Sequence, residues 1–421
     1  MTEAAIAKLA AAFAGSDAGY VDYDKVKVEK EAVLRQAFTV FTKQTVPASY
    51  REFCLDNKAW LPDYALFMAA GRHFNDLPWN EWEPALAARE EAVMEHYRKL
   101  LSEDVAYHTF LQYVFYRQWQ AVKQYANHKG IQIVGDMPIF VAHHSSDVWA
   151  NQRLFELGAD GKPLLVAGVP PDYFSETGQL WGNPLYRWDV MAQDDYIWWR
   201  ERFACLLRQV DIVRLDHFRG FESYWEISAA EKTAVNGRWV KGPGAAFFTV
   251  LEKYLGPMAI VAEDLGIITQ QVIDLKQAFA FPGMQVLHFS FTCGLSGQYQ
   301  PLGIEYNTVL YTGTHDNNTT VGWYREQGEG DSETRNCVDK YLGITGLPTA
   351  EELCWRLIEL AYQSRAKTVI IPMQDLLHLD ASARMNYPGT VGGRNWRWRC
   401  HAGCPDGLVV RLREFVQKYH R

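Results

Sequence analysis

Three short apolar segments of the chain each end in acidic residues. They are VDIVRLD at residues 210–216, AIVAED at residues 259–264 and TVLYTGTHD at residues 308–316. Apolar runs bounded by polar or turn-forming residues are typical of strands buried on both faces, as in parallel sheets. Acidic residues are rarely left in such surroundings unless they are paired or used. The pattern therefore predicts carboxylates at the carboxyl ends of parallel strands, where a β/α barrel carries its active site.

Size and charge exclude some classes of function. The 421 residues carry a formal net charge of -8 and a pI near 5.9, which gives no indication of a basic surface for nucleic acid. No apolar run approaches the roughly 18 residues needed to span a bilayer. The seven cysteines show no disulfide-like spacing, and the first residues show no signal-peptide pattern. We therefore expect a reduced, cytoplasmic enzyme that binds neither nucleic acid nor membrane.

Two regions of the chain differ in pattern. Residues 1–130 read as mainly helical, and we interpret them as a helical insertion or subdomain. Residues 131–421 alternate strands with helices, which indicates a parallel sheet and a β/α barrel. A closed barrel of this type has eight strands, whereas six are recognisable here. They lie at residues 131–136, 210–216, 259–263, 284–289, 308–314 and 367–372.

Two of the acids suggest catalytic roles. Asp216 lies two residues after Arg214, so strand alternation puts both side chains on one face, and an adjacent arginine keeps a carboxylate ionised, as a nucleophile requires. A structural Arg–Asp pair is the alternative. Glu263 ends an apolar strand, where desolvation raises a carboxyl pKa toward that of a working acid. A salt bridge at the rim is its alternative, and the neighbouring Asp264 is predicted to face the opposite way and cap the next turn or helix.

Two further acids follow strands in the same way. His315 and Asp316 come after a strand and a Gly-Thr turn, which places an imidazole beside a carboxylate. The alternative for Asp316 is a helix N-cap ahead of Val321. Asp136 ends an earlier strand and is interpreted either as a substrate hydrogen-bond acceptor or as a stabiliser of the rim. Pairs of strand-end carboxylates suit glycosidic bond chemistry.

A long segment, Pro170–Tyr186, mixes aromatic, amide and turn-forming residues. Loops of this length without regular structure are usually functional or disordered, and the aromatic content argues against disorder. Tyr173, Trp181 and Tyr186 are candidates for stacking on sugar rings, and Gln179 and Asn183 for hydrogen bonds to hydroxyl groups. The alternative is an Ω-loop packed on itself.

No metal site and no cofactor are expected. The CHAGC sequence at residues 400–404 lacks a second ligand pair elsewhere in the chain. His143 and His144, near Asp147, are interpreted as a strand-to-loop connection. Neither a phosphate-binding loop nor a dinucleotide fingerprint occurs in the sequence.

Taken together, several motifs resemble those of the 4-α-glucanotransferases, also called amylomaltases or disproportionating enzymes, a branch of the α-amylase superfamily. The motifs follow the family's order from about Val21 to the C-terminus, and the combination is more specific than any single acid. The resemblance implies an α/β fold of the TIM (β/α)8-barrel type with helical insertions. The motifs are GDMPI at 135–139, the segment 170–186, RLDHFRG at 214–220, AEDLG at 262–266, THD at 314–316, MNYPGT at 385–390 and NW at 395–396.

The resemblance also implies a role for each residue. Asp216 would be the nucleophile that forms a covalent glycosyl ester, and Glu263 the acid that protonates the leaving sugar and then the base that activates the acceptor. Asp316 would stabilise the transition state by holding sugar hydroxyls. The residues expected to assist or to line the substrate subsites are Arg214, His315, Asp136, Tyr173, Gln179, Trp181 and Asn183.

Relative to the family, the chain lacks the N-terminal segment with the first two barrel strands, which matches the count of six. We therefore expect an N-terminally truncated barrel, whose activity on its own is an open question. The leading hypothesis is retaining transfer of α-1,4-glucan segments between maltodextrins. The alternatives are a hydrolysing relative of the α-amylases and an inactive glucan-binding fragment. Expected partners are α-1,4-glucans and maltooligosaccharides, and the sequence predicts no oligomeric state.

Overall fold

The computed structural model describes residues 3–171, 175–291, 303–328, 333–400, 403 and 405–421. The chain divides into two compact units. Unit 1 consists of Lys30–Ala280 together with the first residues of the chain, and unit 2 consists of Ile6–Glu29 and Phe281–Arg421.

Helices dominate the chain before residue 130 and alternate with strands after it. None of the described helices is both long enough and apolar enough to cross a membrane. The helices are α1 (Glu3–Ala12), α2 (Tyr23–Thr42), α3 (Ala48–Asp56), α4 (Leu61–His73), α5 (Pro84–Ala87), α6 (Glu91–Leu100), α7 (Ser102–His128), α8 (Ser146–Ala150), α9 (Trp188–Ala192), α10 (Ile197–Gln209), α11 (Gly244–Leu255), α12 (Gln270–Ala278), α13 (Thr320–Glu326), α14 (Glu333–Leu342), α15 (Ala350–Gln363), α16 (Met373–Leu376) and α17 (Asp406–Lys418).

Ten strands form three sheets among the described residues. The six predicted strands are all confirmed, as β1, β4, β7, β8, β9 and β10, with bounds that differ by a few residues. The strands are β1 (Val134–Pro138), β2 (Leu165–Val169), β3 (Gln179–Pro184), β4 (Ile212–Asp216), β5 (Ser223–Ser228), β6 (Gly237–Lys241), β7 (Ile260–Ala262), β8 (Gly283–Val286), β9 (Thr308–Tyr311) and β10 (Thr368–Ile370).

Unit 1 contains a parallel sheet in the order β1-β4-β7. Its register pairs Pro138 with Asp216 and Leu215 with Ala262. Both faces of β4 are covered: Val213 and Leu215 on one face are fully buried, and Arg214 on the other face is buried as well. Because the strands run in the same direction, their carboxyl ends meet at one edge of the sheet, where Asp216 and the residue after Ala262 lie side by side.

Unit 1 also contains an antiparallel sheet in the order β3-β2-β5-β6. The sequence pattern did not predict it. The interpretation of residues 170–186 as a loop without regular structure was wrong for Gln179–Pro184, which pair with β2. In the rest of that segment, Pro170, Pro171 and residues 175–178 are irregular. Residues 172–174 lie outside the described residues.

An aromatic cluster fixes the loop that follows β4. Trp199 of α10, Phe247 of α11 and Phe221 are almost completely buried, and Phe247 stacks on Phe221 with ring centroids 5.1 Å apart. Burial of each such side chain stabilises the fold by roughly 2–3 kcal/mol relative to exposure. Phe221 belongs to a short 3-10 helix, Phe218–Phe221, that begins two residues after Asp216. The cluster therefore anchors the backbone next to this carboxylate.

Unit 2 contains a parallel sheet in the order β10-β9-β8. Its core packs Leu310 of β9 against Trp323 of α13 and Leu357 of α15. Cys337 of this core is disulfide-bonded, which the cysteine spacing did not predict. Among the described residues, Cys54, Cys205 and Cys354 are free cysteines.

Candidate active site

The end of the unit 1 parallel sheet brings an arginine between two carboxylates. Nη1 of Arg214 lies 2.6 Å from Oδ1 of Asp136 and 3.0 Å from Oδ1 of Asp216. The arginine side chain is only 10% exposed, whereas those of Asp136 and Asp216 are 45% and 40% exposed. A buried guanidinium thus presents two solvent-accessible carboxylates. Burial alone would lower the pKa of Arg214, but the charges of the two acids more than offset it and raise this pKa, so the guanidinium stays charged between them.

Glu263 lies at the adjacent strand end and is held by the main chain. Its Oε2 accepts a hydrogen bond of 2.7 Å from the backbone N–H of His217, and its Oε1 accepts one of 3.1 Å from that of Leu265. Burial is the main cause that raises the pKa of Glu263 to about 8, the negative charge of Asp216 adds to the rise, and Arg214 opposes it. Glu263 thus keeps its proton near neutral pH, as a general acid requires, and it lies next to the carboxylate of Asp216, which is paired with Arg214.

The hydrogen bond from His217 depends on an unusual backbone conformation. His217 has φ 52° and ψ 51°, in the left-handed region that non-glycine residues seldom adopt. This turn directs its N–H toward Glu263 and ends strand β4. Burial lowers the pKa of the imidazole to about 4, with Arg219 adding to the effect, so the ring is neutral at physiological pH. Its edge packs against Trp181, with ring centroids 4.9 Å apart.

Asp264, the residue after Glu263, has a lysine as its ion-pair partner. Its Oδ2 forms an ion pair of 2.5 Å with Nζ of Lys276 in α12. The prediction that Asp264 and Glu263 diverge is consistent with these separate partners, but the partner of Asp264 is a lysine side chain on the next helix. Strand alternation therefore distinguished the two acids correctly.

Unit 2 carries a second polar group, around the residues that follow β9. Oδ1 of Asp316 accepts a 2.6 Å hydrogen bond from Nδ2 of Asn386, and its Oδ2 lies 3.4 Å from Nε2 of His315. The ring of His315 packs against Trp396 at 5.3 Å. The side chains of Asp316 and His315 are 40% and 33% exposed, so both remain accessible to a ligand. Arg384 donates to the backbone carbonyl of Asp316 at 2.9 Å.

The alternative role of Asp316 as a helix cap is wrong. Helix α13 is capped by Thr319, whose hydroxyl accepts a 3.1 Å hydrogen bond from the N–H of Gly322. A threonine at this position satisfies a backbone donor that otherwise has no partner within the helix. The carboxylate of Asp316 is thereby left to Asn386 and to the solvent-accessible side of the loop.

The predicted subsite residues have different surroundings. Trp181 is 36% exposed, and its Nε1 donates to Oε1 of Gln179 at 3.1 Å. Asn183 donates to the carbonyl of Val141 at 2.9 Å, so part of its amide holds the local structure. Tyr173 lies outside the described residues. The stacking prediction for Tyr186 was wrong, because this side chain is only 2% exposed and its hydroxyl donates to the carbonyl of Ile139.

A cavity of about 410 Å³ adjoins Asp136 in unit 1, and its walls include Trp60, Tyr116 and Trp198. No group of three or more His, Cys, Asp or Glu side chains that could hold a metal ion occurs in the described part of the chain. His143 and His144 instead contact the carbonyl of Gly161 and the N–H of Trp79.

Sequence reasoning missed several partners of these acids. The backbone N–H groups of His217 and Leu265 carry no signal in the sequence, since their direction depends on the fold. Asn386 and Trp396 were noticed only as parts of the C-terminal motif, and no role was assigned to either. The available signal was a polar and an aromatic residue on either side of the turn-forming pair Pro388 and Gly389.

Comparison with known proteins shows which family this chain resembles. A family model described as 4-alpha-glucanotransferase matches residues 2–404. The chain is 47% identical over 394 residues to the 4-alpha-glucanotransferase of Synechocystis sp., covering 92% of this chain and 76% of the relative. It is 45% identical over 396 residues to the enzyme of Thermus thermophilus, covering 92% and 78%.

A solved structure matches as well. The amylomaltase from Streptococcus agalactiae, in complex with acarbose, matches with a TM-score of 0.90 and 38% identity, covering 97% of this chain and 81% of that chain. The similarity confirms the predicted barrel type of α/β fold. It also confirms the resemblance that the motifs indicated.

Proposed function

The chain belongs to the 4-alpha-glucanotransferase family, and we propose that its transfer of glucan segments runs through Asp216 as nucleophile and Glu263 as acid and base. The observation that carries this proposal is a pair of strand-end carboxyls in different surroundings, one with a raised pKa and one paired with a buried guanidinium. The pKa of Glu263 is about 8, whereas Asp216 bonds to Arg214 at 3.0 Å.

In the first step, Asp216 attacks the anomeric carbon of the donor while Glu263 gives its proton to the departing glycosidic oxygen. The bond from the anomeric carbon to that oxygen breaks, and a glycosyl ester with Asp216 forms. General acid catalysis of this type contributes typically 10²–10⁴-fold. The raised pKa of Glu263 provides the proton at neutral pH, and the buried guanidinium of Arg214 favours the charged nucleophile.

In the second step, the roles of Glu263 change. Esterification removes the negative charge of Asp216, and that charge is one cause of the raised pKa of Glu263. Its pKa therefore falls in the intermediate, so Glu263 becomes a better base. It takes the proton of an acceptor hydroxyl, whose oxygen attacks the anomeric carbon and releases Asp216. Two displacements at one carbon retain its configuration.

Acceptor binding decides between transfer and hydrolysis, because water and a sugar hydroxyl compete for the same ester. We propose that Trp181, exposed and supported by the ring of His217, stacks on an acceptor sugar. Gln179 and Asn183 would add hydrogen bonds, and Asp136, with Tyr173, would line the subsites. For Asp316, assisted by His315, the proposed role is to hold hydroxyls of the donor sugar in the transition state.

The proposed substrates are α-1,4-linked maltooligosaccharides, as both donor and acceptor, and no cofactor enters the mechanism. The cytoplasmic location and the division into a helical part, residues 1–130, and a catalytic part, residues 131–421, stay predictions.

The test is to incubate the 421-residue chain with maltotriose and to separate the products by length. We expect glucose together with maltodextrins longer than the substrate. Asp216→Asn should abolish both while the near-ultraviolet circular dichroism spectrum stays that of the wild type. Asp264→Asn is the matched control, because this acid is paired with Lys276 and should leave turnover in place. Turnover retained in Asp216→Asn would remove the nucleophile assignment, and products that are only shorter than maltotriose would indicate hydrolysis.

A further inference from the structure

A buried carboxylate in unit 2 has no role in the steps above. Asp375 of α16 is 1% exposed. Its Oδ2 accepts hydrogen bonds from the hydroxyls of Thr312 at 2.7 Å and Thr320 at 2.8 Å, and its Oδ1 accepts one of 2.9 Å from the backbone N–H of Thr320. A buried carboxylate costs several kcal/mol of desolvation unless such donors compensate it. Three donors on one carboxylate therefore indicate a built polar site.

The donors lie at the two ends of one loop. Thr312 directly follows β9, and Thr320 is the first residue of α13. Between them run residues 313–319, which carry His315 and Asp316. One carboxylate on a separate helix thus joins the start and the end of the segment that presents Asp316. The N–H of Thr320 also belongs to the first turn of a helix, where a negative charge is favourable.

The ring of His288 packs against this loop and contacts the Thr320 hydroxyl. The Thr320 hydroxyl has one proton, which it donates to Asp375, so it accepts from Nε2 of His288 at 3.1 Å. Burial lowers the pKa of His288 to about 3, so the ring is neutral. The ring stacks on Trp323 at 4.3 Å. A Cβ on Gly313 would lie 2.8 Å from this ring, so the backbone of the loop rests directly on it.

We propose that Asp375 is a positioning residue for Asp316. It holds Thr312 and Thr320 at the two ends of residues 313–319, and so fixes the direction in which the Asp316 carboxylate meets the sugar. An amide in its place cannot accept at both oxygen positions: its NH2 group would face either the N–H of Thr320 or the two hydroxyls. This inference rests on the proposed role of Asp316 in the transition state.

The first test is a double-mutant cycle with Asp375→Asn and Asp316→Asn. Alpha-maltosyl fluoride serves as donor so that slow turnover can be measured, and rates are normalised to folded protein. We expect Asp375→Asn alone to lower kcat at least tenfold with KM within about threefold. In the Asp316→Asn background it should cost less than threefold, because residues that act as one unit are not additive.

The outcomes separate two kinds of failure. Losses that multiply in the double variant, or a wild-type kcat in Asp375→Asn, overturn this inference and leave the proposed function in place. A wild-type kcat in Asp316→Asn removes the proposed role of Asp316, and this inference with it.

A second pair of variants decides the matter if Asp375→Asn does not fold. Thr312→Val removes one hydrogen bond to Asp375 at nearly constant volume, and Thr312→Ser retains it. We expect Thr312→Val to lower kcat about tenfold with KM little changed, and Thr312→Ser to restore kcat to within about threefold of the wild type. Equal kcat in the two variants would contradict the positioning role.

Discussion

Glu263 should destabilise the native protein as the pH rises. Its pKa in the folded state is about 8, above the ordinary 4.5, so the native state binds this proton more tightly than the unfolded chain. The contribution of the neutral Glu263 carboxyl to the free energy of unfolding is fully present below about pH 4.5. It is lost as the pH rises to about 8. Glu263→Gln keeps the shape but cannot ionise, and should not show this loss.

The size of the effect follows from the shift. Each pKa unit corresponds to about 1.4 kcal/mol, so a rise from 4.5 to about 8 gives an upper value of about 5 kcal/mol. Glu263 is mostly but not completely buried, so residual solvent screening lowers this upper value, and we expect roughly 2–3 kcal/mol. Glu263→Gln should therefore gain this much stability over the wild type between pH 4.5 and pH 8, while it loses transfer activity.

Urea unfolding followed by tryptophan fluorescence, repeated from pH 4.5 to pH 8.5, measures the difference. Asp264→Asn is the control, because its carboxylate pairs with Lys276, and this variant should lose stability and show no growing gain. A constant difference in unfolding free energy between Glu263→Gln and the wild type across this range would refute the reasoning.

Three other substitutions test the surroundings of the acids. Trp181→Ala should raise the ratio of hydrolysis to transfer severalfold, measured as reducing ends released per transfer, since an acceptor sugar loses its stacking surface; an unchanged ratio would count against stacking. Arg214→Lys keeps the charge but loses the guanidinium that contacts both carboxylates, so kcat with maltotriose should fall about 10- to 100-fold. Asn386→Ala removes a 2.6 Å hydrogen bond to Asp316 and should lower kcat about tenfold, whereas Asn395→Ala, in the same segment, should not; equal losses would point to a general effect on the loop.

The sequence predicted the parallel strands and their acids because both depend on local pattern. Burial on both faces requires uninterrupted apolar residues, so β4 and β7 were visible, and Asp216 and Glu263 stood out as exceptions at their ends. The partnership of Asp216 with Arg214 also followed, since alternation puts residues two apart on one face. These are statements about neighbours in the chain.

The antiparallel sheet of unit 1 was not predictable in the same way. Strand β3 contains Gly182, Asn183 and Pro184, which have little intrinsic tendency to form strands. Its pairing with β2 includes a register shift between Val166 and Gly168. Strand β3 therefore forms because β2 lies beside it, and the sequence of one segment does not show which other segment it pairs with.

The contacts of the acids with distant residues were also beyond local reasoning. Asn386 reaches Asp316 across 70 positions of sequence, and Asp375 reaches Thr320 across 55. The left-handed conformation of His217 is equally hidden, because histidine adopts it more often than most non-glycine residues but still only occasionally. The error about Asp316 as a helix cap has a similar cause. Asp316 and Thr319 are both suitable capping residues three positions apart, and in the structure Thr319 caps the helix.

The peptide groups that bind Glu263 have a consequence for how this enzyme tolerates change. Both donors, at His217 and Leu265, belong to the backbone, so a substitution of either side chain leaves the donor atom in the chain, with proline as the exception. Substitutions at Leu265 therefore change the side chain next to the acid without deleting the N–H group that binds it. The hydrogen-bonding support of the proton donor is in this respect a property of the main chain and does not depend on which side chain a mutation introduces.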